Sequence, residues 1–319
     1  MNEGKESMEY LWLIVGFVLL IKGADFFVDG ASSVAAKLKV PSLIIGLTVV
    51  SMGTSMPEAA VSISASLSDS NAISLGNVIG SNIFNLLMVV GISSVILPIT
   101  TDRDVLKRDM PVNIGITAAL CIMLWDGCFS RLEAAILLVL FATYLFLLIR
   151  SAMKNRVEGD ETKVLTWFKS IVFIVLGAAA IIGGGQLVVN SSKTIAAALG
   201  MSETLIGLTV VAFGTSLPEL VTSIVAAKKG DSGIAMGNVV GSSIFNILFI
   251  LGVTGVIKPM EAEVAFLIDT IILIGVSLVM WLFAFTKRKT SRPEGAICIL
   301  IYAAYTAYII MRTYGIWIF

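Results

Sequence analysis

Residues 46–64 read GLTVVSMGTSMPEAAVSIS, a run apolar enough for a membrane-spanning helix that carries a proline, several hydroxyls and a glutamate at its centre. A close copy, GLTVVAFGTSLPELVTSIV, begins at Gly207. An ionisable side chain at mid-membrane costs about 2.5–3.5 kcal/mol on translocon insertion scales. Two such costly runs in one chain indicate that Glu58 and Glu219 have a role that packing alone does not require.

The composition places the rest of the chain in a membrane as well. Of 319 residues, 57% are hydrophobic and 14% are charged, and the formal net charge is zero. A soluble domain has about 25% charged residues, and a neutral chain gives no indication of nucleic-acid binding. Because lipid offers backbone groups no partners, long apolar runs must satisfy them internally as helices. The sequence therefore predicts an all-α polytopic membrane protein.

Ten apolar runs are long enough to be transmembrane helices, which need about 20 residues each. The lipid bilayer is thus an expected partner, and no protein partner is implied, which is compatible with a monomer. The runs cover approximately residues 10–36, 42–67, 72–97, 109–126, 131–150, 167–199, 204–228, 232–257, 263–286 and 293–317.

The chain contains an internal duplication. At a constant offset of 161 residues, Ile45–Pro98 aligns with Ile206–Pro259 without a gap, and 28 of 54 positions are identical. Each half has five predicted spans. Because this number is odd, the second half is expected to enter the membrane in the orientation opposite to the first. Secondary transporters have such inverted repeats, with binding sites near the midplane where the repeats meet. We therefore predict a repeat at 1–150 (most similar segment 42–98), a cytoplasmic linker at 151–166 and a second repeat at 167–319 (most similar segment 203–259).

Lys and Arg are unevenly distributed between alternate loops. With the N-terminus outside, 16 of them fall in loops on the cytoplasmic side and 5 on the outer side, and Lys22 lies within the first helix. Cytoplasmic loops of membrane proteins carry the excess of basic residues. The sequence therefore predicts a multi-pass protein of the plasma membrane with both termini extracellular.

Pro57 and Pro218 predict a break in each glutamate-bearing helix, because proline has no N–H and its ring clashes with the carbonyl four residues earlier. Inside a bilayer, the freed carbonyls must be satisfied by protein, water or an ion. Polar residues recur around each proline at spacings of three and four, so they share one helical face. These residues are Ser51, Thr54, Ser55, Glu58 and Ser62 and, in the copy, Ala212, Thr215, Ser216, Glu219 and Ser223.

The next helix of each half, GNVIGSNIFN and then GNVVGSSIFN, supplies a second polar stripe. Its asparagines either bind an ion or hydrogen-bond a neighbouring helix. The donors are all oxygens, which suits hard cations such as calcium and sodium. Because the chain has no histidine and its three cysteines have no paired spacing, a zinc site is not expected, nor is a resident cofactor. The stripe residues are Asn77, Ser81 and Asn85, copied as Asn238, Ser242 and Asn246.

The first span also carries charges, since Lys22, Asp25 and Asp29 lie at helical spacing. One interpretation is that this helix is a moving gate with a wetted face. The other is an ion-paired helix end near the membrane surface. The spacing is compatible with both.

Four motifs in this order, GTSMPE, GNVIGSNIFN, GTSLPE and GNVVGSSIFN, resemble those of the cation/calcium exchanger superfamily, and in particular the prokaryotic sodium/calcium exchangers. The resemblance extends over essentially the whole chain. It implies that Glu58 and Glu219 are central calcium ligands, joined by the carbonyls of Thr54 and Thr215. It also implies flanking sodium sites and further central ligands at Ser51, Ser55, Ala212, Ser216, Ser81, Ser242, Asn85 and Asn246.

The resulting hypothesis is an antiporter, not an enzyme, that exchanges sodium for calcium by alternating access and moves net charge if more than two sodium ions replace one calcium. Protons are the alternative counter-ion, since the two glutamates could carry them, and another divalent cation is the alternative substrate. A cation channel would need no counter-ion. An intramembrane enzyme using the glutamates as acid and base would need a nucleophile or a metal beside them.

Overall fold

The structure, a computed structural model, describes residues 3–68, 71–154, 164–199 and 212–314. This part of the chain is almost entirely helical, as the composition predicts. It holds seven helices long and apolar enough to cross a membrane, or eight if Ser42–Thr54 and Met56–Leu67, which are bent by 49° at a short break, form one span. The prediction of a helical membrane protein is thereby confirmed.

The first half contains one very long helix followed by shorter segments, several of them five-residue π-helices. π-Helical turns inside α-helices occur frequently at functional sites. The elements are α1 (Glu3–Leu38), α2 (Ser42–Ile45), π1 (Gly46–Val50), α3 (Ser51–Thr54), α4 (Met56–Leu67), α5 (Asn71–Phe84), π2 (Asn85–Val89), α6 (Val90–Ile96), π3 (Val105–Asp109), α7 (Met110–Met123) and α8 (Arg131–Lys154).

The second half follows the same order where it is described. The span predicted at 204–228 is described only from Ala212 onward, and 155–163 of the predicted linker lies outside the described residues. The elements are α9 (Trp167–Ala198), α10 (Ala212–Thr215), α11 (Leu217–Lys228), α12 (Ser232–Phe245), π4 (Asn246–Leu251), α13 (Gly252–Ile257), α14 (Val264–Lys287) and α15 (Arg292–Thr313).

Two helical segments lie at the centre of the bundle. Their most apolar stretches, within Ile73–Ile96 and Ser232–Ile257, are 72% and 78% buried. The other five membrane-length helices are between 11% and 33% buried and so present most of their surface outward. The segments that carry the second polar stripe are therefore the innermost helices.

Helices α1 and α9 pack closely along a seam of glycines. A Cβ atom on Gly16 would lie 2.9 Å from the carbonyl oxygen of Gly184, and one on Gly23 would lie 2.9 Å from that of Gly177. Small residues let helix backbones approach in a membrane, where dispersion contacts drive association. The seam forms a long paired unit from two helices that lack the glutamate motifs.

Local polar residues begin several of the helices. Asp231 accepts a hydrogen bond from the backbone N–H of Ile234 at 3.0 Å at the start of α12. Ser291 and Glu294 form a reciprocal capping box at the start of α15. Such caps satisfy backbone N–H groups that the first turn of a helix leaves without partners.

Two short antiparallel ribbons connect loops from the two halves. Strand β1 (Ile99–Thr100) pairs with β4 (Lys289–Thr290), and β2 (Cys128–Phe129) pairs with β3 (Met260–Glu261). The apolar pattern of the sequence predicts helices alone, because strands of two residues are too short to produce an alternating pattern. Each ribbon ties one half of the chain to the other at a loop.

Candidate functional site

The helix break that Pro57 predicts lies at Ser55, two residues earlier. Ser55 ends α3 and precedes α4 with φ −83° and ψ 8°, and Pro57 occupies the first turn of α4. Ser216 and Pro218 repeat this geometry between α10 and α11, with φ −94° and ψ 8°. Proline is tolerated in a first helical turn because no intrahelical N–H bond is needed there.

The two glutamates are completely buried, and each accepts a hydrogen bond from the broken helix of the other half. Ser216 Oγ donates to Glu58 Oε1 at 3.0 Å. Reciprocally, Ser55 Oγ donates to Glu219 Oε1 at 2.9 Å. The two breaks therefore face each other, and the carboxylates are brought into one site.

The innermost helices add hydroxyls to this site. Ser81 Oγ lies 3.4 Å from Glu58 Oε1 and 3.2 Å from the hydroxyl of Ser216. Ser242 Oγ donates to the backbone carbonyl of Ser51 at 3.4 Å. The sequence-predicted residues Ser51, Ser81 and Ser242 thus lie at the meeting point of the two halves.

Asn77 and Asn238 brace the glutamate-bearing helices. Asn77 Nδ2 donates to the carbonyl oxygen of Glu58 at 3.2 Å and to Ser62 Oγ at 2.9 Å. Asn238 Nδ2 makes the matching bonds to the carbonyl of Glu219 at 3.2 Å and to Ser223 Oγ at 3.0 Å. Of the two interpretations, interhelical hydrogen bonding accounts for these two asparagines.

The two threonines differ in their partners. Thr54 Oγ1 donates to Asn238 Oδ1 at 2.9 Å. Thr215 Oγ1 is buried and has no hydrogen-bond partner among the described residues. Ala212 begins α10, but its side chain is outside the described part of the chain.

Several buried oxygens of the site lack a protein donor within the described residues. Buried polar atoms are almost always hydrogen-bonded, so such atoms call for a ligand or another explanation. In Glu58 and Glu219, Oε1 is hydrogen-bonded and Oε2 has no partner among the described residues. The amide oxygen and the amide nitrogen of Asn85 both lack a partner there. Asn246 Oδ1 is also unpartnered. These unpartnered carboxylate and amide oxygens are the kind of ligand that hard cations bind.

Asn82 also belongs to this region, although the sequence did not predict it. It is fully buried beside Ser81, and it hydrogen-bonds both the backbone of Ser243 and the side chain of Asn246. The repeat comparison could not find it because the second copy has Ser243 at the corresponding position. Its place inside the motif GSNIFN was the available signal.

A polar cavity of about 1040 Å³ opens at one end of the bundle. Its lining includes Asp29, Asp102, Lys229 and Asp231. Burial, with smaller contributions from the Asp104 and Asp231 carboxylates, raises the pKa of Asp102. Within the described residues, no group of three or more acidic, histidine or cysteine side chains has the arrangement of a metal site.

The cavity borders an ion-paired group that we call the Lys229 cluster, consisting of Asp25, Asp29 and Lys229. Lys229 Nζ donates to Asp29 Oδ1 at 2.7 Å and to the backbone carbonyl of Asp25 at 2.7 Å, and it lies 3.5 Å from Asp25 Oδ1. These bonds attach α1 to the end of α11. Asp25 and Asp29 are therefore ion-paired with a lysine of the other half in this structure.

Known proteins resemble the chain over nearly its whole length. The family model described as sodium/calcium exchanger protein matches residues 8–150 and, separately, residues 169–311. The sodium/calcium exchanger MaX1 of Methanosarcina acetivorans is 35% identical over 347 residues, covering 94% of this chain and 97% of that protein. The inner membrane protein YrbG of Escherichia coli is 34% identical over 310 residues, with 94% and 95% covered.

A solved structure also resembles the chain. The sodium-calcium exchanger NCX_Mj, soaked with 2.5 mM Na⁺ and 10 mM Sr²⁺, matches with a TM-score of 0.84 at 34% sequence identity, and the match covers 95% of this chain and 99% of that one. The similarity therefore extends over both halves and over the helices that carry the two glutamates.

Proposed function

Because this chain belongs to the sodium/calcium exchanger family, we propose that it is a secondary antiporter that exchanges sodium for calcium across a membrane. The observation that carries the proposal is the reciprocal pair of hydrogen bonds, Ser55 to Glu219 and Ser216 to Glu58. This arrangement holds two carboxylates in one buried site while leaving one oxygen of each without a protein donor in the described chain.

Calcium binds at the centre of this site in our proposal. Glu58 and Glu219 supply charged oxygens, and the carbonyls of Thr54 and Thr215 supply neutral ones. A divalent cation neutralises two carboxylates, which makes burial of this charge affordable. Asn85 and Asn246 complete this central site. Sodium ions bind there and at flanking sites that share its oxygens and include Ser51, Ser55, Ala212, Ser216, Ser81 and Ser242.

Competition for shared oxygens makes the exchange obligatory. Calcium and sodium cannot occupy the same carboxylates together, so each ion leaves only when the other replaces it. If more than two sodium ions replace one calcium, each cycle moves net charge. A moved charge contributes about 2.3 kcal/mol per 100 mV of membrane potential.

The topology that fits this mechanism has ten transmembrane helices in two inverted five-helix repeats, with both termini outside the cell membrane. The duplication at an offset of 161 residues supports it, as does the separate match of the family model to each half. The basic residues of alternate loops support the orientation. In this orientation, the Lys229 cluster lies on the cytoplasmic side.

Alternating access would come from movement of α1 and α9 over the bundle that holds the site. These two helices lack the glutamate motifs and pair along the seam of Gly16, Gly23, Gly177 and Gly184. A paired unit can slide as one body. The site itself then stays fixed at the membrane midplane, as in other transporters built from inverted repeats.

Radioactive calcium uptake tests the proposal. Purified protein is reconstituted into liposomes loaded with sodium and diluted into sodium-free buffer, with valinomycin and potassium setting the membrane potential. Uptake that requires internal sodium and responds to potential supports electrogenic exchange. Uptake driven by a pH gradient alone would assign protons as the counter-ion, and uptake without any counter-ion would indicate a channel.

A further inference from the structure

Asn82 lies on α5 between two residues of the proposed site, Ser81 and Asn85. Its side chain is completely buried. Its hydrogen bonds cross to the other half of the chain, where they reach the backbone of Ser243 and the side chain of Asn246. Asn82 therefore contacts Asn246, a proposed ion ligand that belongs to the other half of the chain.

The direction of these bonds follows from elementary hydrogen-bond chemistry. A backbone carbonyl only accepts, so the group of Asn82 that lies 3.1 Å from the carbonyl oxygen of Ser243 must be the amide nitrogen. The oxygen of Asn82 then faces Asn246. Asn246 must present its own nitrogen to this oxygen, and Nδ2 lies 3.1 Å from Asn82 Oδ1. The amide oxygen of Asn246 is thereby turned away from Asn82.

That oxygen is buried and receives no hydrogen bond within the described part of the chain. An amide oxygen is a ligand for calcium and sodium, whereas an amide nitrogen with two hydrogens repels them. The chain of bonds from Ser243 through Asn82 to Asn246 thus selects the orientation of Asn246 that can bind a cation.

The opposite half lacks this chain of bonds. Ser243 stands where a second asparagine would be needed, and its hydroxyl donates to the carbonyl of Val239 in its own helix at 3.1 Å. Both polar atoms of the Asn85 side chain are without partners among the described residues. The two asparagines of the proposed site are therefore held differently.

We propose that Asn82 is a positioning residue that fixes the amide of Asn246 with its oxygen toward the bound cation. The inference rests on the proposed function to the extent that Asn246 is an ion ligand. It adds a residue that does not touch the ion but determines how well a ligand from the other half binds it. Calcium affinity, rather than turnover, is the property that Asn82 controls.

The test is calcium affinity of purified protein by isothermal titration, together with the KM of calcium uptake. Asn82→Ala removes the acceptor for Asn246 and lets its amide turn, so we expect calcium Kd and KM to rise by about tenfold with little change in maximal rate. Ser243→Ala is the matched control, because the carbonyl used by Asn82 belongs to the backbone and survives this change. Its affinity should equal that of the unmodified protein.

Making the Asn82→Ala change in a second variant background separates an effect on the orientation of the residue at position 246 from an effect on packing. In an Asn246→Asp background, the ligand has two equivalent oxygens and no orientation to fix, so Asn82→Ala should have at most a small effect on calcium affinity. An equal loss of affinity in both backgrounds would overturn the proposal, and so would unchanged affinity in Asn82→Ala itself. If Asn82→Ala does not fold, Asn82→Ser, the residue found at the corresponding position 243, serves in its place.

The outcome is independent of the counter-ion. Calcium binding in detergent does not depend on whether sodium or protons drive transport, so the proposed exchange could fail while this inference holds. Conversely, sodium-driven uptake with an unaltered affinity in Asn82→Ala would leave the proposed function intact and refute the role of Asn82.

Discussion

Ser55 Oγ lies 2.9 Å from Oε1 of Glu219, a residue 164 positions away in the chain. Ser216 and Glu58 make the reciprocal contact at 3.0 Å. Each carboxylate is therefore oriented by the opposite half. A site assembled in this way exists only when both halves are docked, which links ion binding directly to their packing.

Replacing either glutamate should abolish transport. Glu58→Gln and Glu219→Gln keep the volume of the side chain and an acceptor for the serine but remove the charge that calcium neutralises. We expect a loss of about 3 kcal/mol or more in calcium binding, or about 100-fold, with uptake near background. Uptake into liposomes measures the loss of transport, and calorimetric titration of detergent-solubilised protein measures the loss of calcium binding.

The control for the glutamate variants is Glu263→Gln, which changes an exposed glutamate before α14. It should transport normally. Normal flux in either Glu58→Gln or Glu219→Gln would show that the buried pair is not the ion site, provided that the variants elute as folded protein.

Removing either of the two serines that orient the carboxylates should weaken calcium affinity, and by a similar amount. Hydrogen bonds to charged groups contribute about 1.5–3 kcal/mol, so Ser55→Ala and Ser216→Ala should each raise the KM for calcium by about tenfold or more. Ser64→Ala, an exposed serine on α4, is the control. A large effect of one serine variant with none for the other would contradict the reciprocal geometry.

Neutralising Lys229 should loosen the end of α1. The cluster is partly exposed, with 30% of the Lys229 side chain accessible, so its bonds contribute about 0–1 kcal/mol each. We expect Lys229→Gln to increase amide hydrogen exchange in residues 25–38 by about two- to fivefold, and high salt to reduce the difference from the unmodified protein. Hydrogen exchange with mass spectrometry measures this.

Lys287→Gln, which changes an exposed lysine at the end of α14, is the control for the Lys229 variant. It should leave exchange in residues 25–38 unchanged. Identical protection in Lys229→Gln and the unmodified protein would show that the cluster does not hold α1.

The glycine seam offers a contrast between adjacent positions. A Cβ on Gly184 would lie 2.7 Å from the carbonyl oxygen of Gly16 and 2.8 Å from the backbone nitrogen of Leu20, whereas one on Gly183 would meet no described atom within 4 Å beyond its own turn of helix. Gly184→Ala should therefore destabilise the protein by about 1–3 kcal/mol. Gly183→Ala should leave stability unchanged or slightly raised.

The Gly184→Ala and Gly183→Ala variants are compared by thermal unfolding in detergent and by calcium uptake into liposomes. We expect Gly184→Ala to lower both the melting temperature and the rate of exchange. Equal behaviour of the two alanine variants would mean that α1 and α9 are not packed at this distance.

The broken helices and their polar face were predictable because proline chemistry and helical spacing act locally. Pro57 and the glutamate-bearing face of α4 follow from a few neighbouring residues. The partner of each serine did not follow, since Ser55 adjoins Glu58 in sequence but bonds Glu219 only after the halves dock. Asn82 was overlooked for the related reason that its role depends on Ser243, 161 residues away.

The Lys229 cluster and the two ribbons were beyond sequence reasoning for similar reasons. The spacing of Asp25 and Asp29 indicated an ion-paired helix end or a wetted face, but Lys229 lies 200 residues from Asp29 and has no pattern that connects them. Strands of two residues have no periodicity. Both features result from tertiary packing.

The contacts between the halves have the form found at the interface of a symmetric dimer. Gly16 meets Gly184 and Gly23 meets Gly177, and the offset of 161 residues exchanges these two contacts, because it relates Gly16 to Gly177 and Gly23 to Gly184. The same offset exchanges the Ser55–Glu219 and Ser216–Glu58 contacts. An isologous interface has this property, since residue i contacts j and j contacts i. Two copies of a half-length chain related by such a two-fold axis would therefore already assemble both carboxylates and both serines. Joining them in one polypeptide frees corresponding positions to diverge, as Asn82 and Ser243 have done.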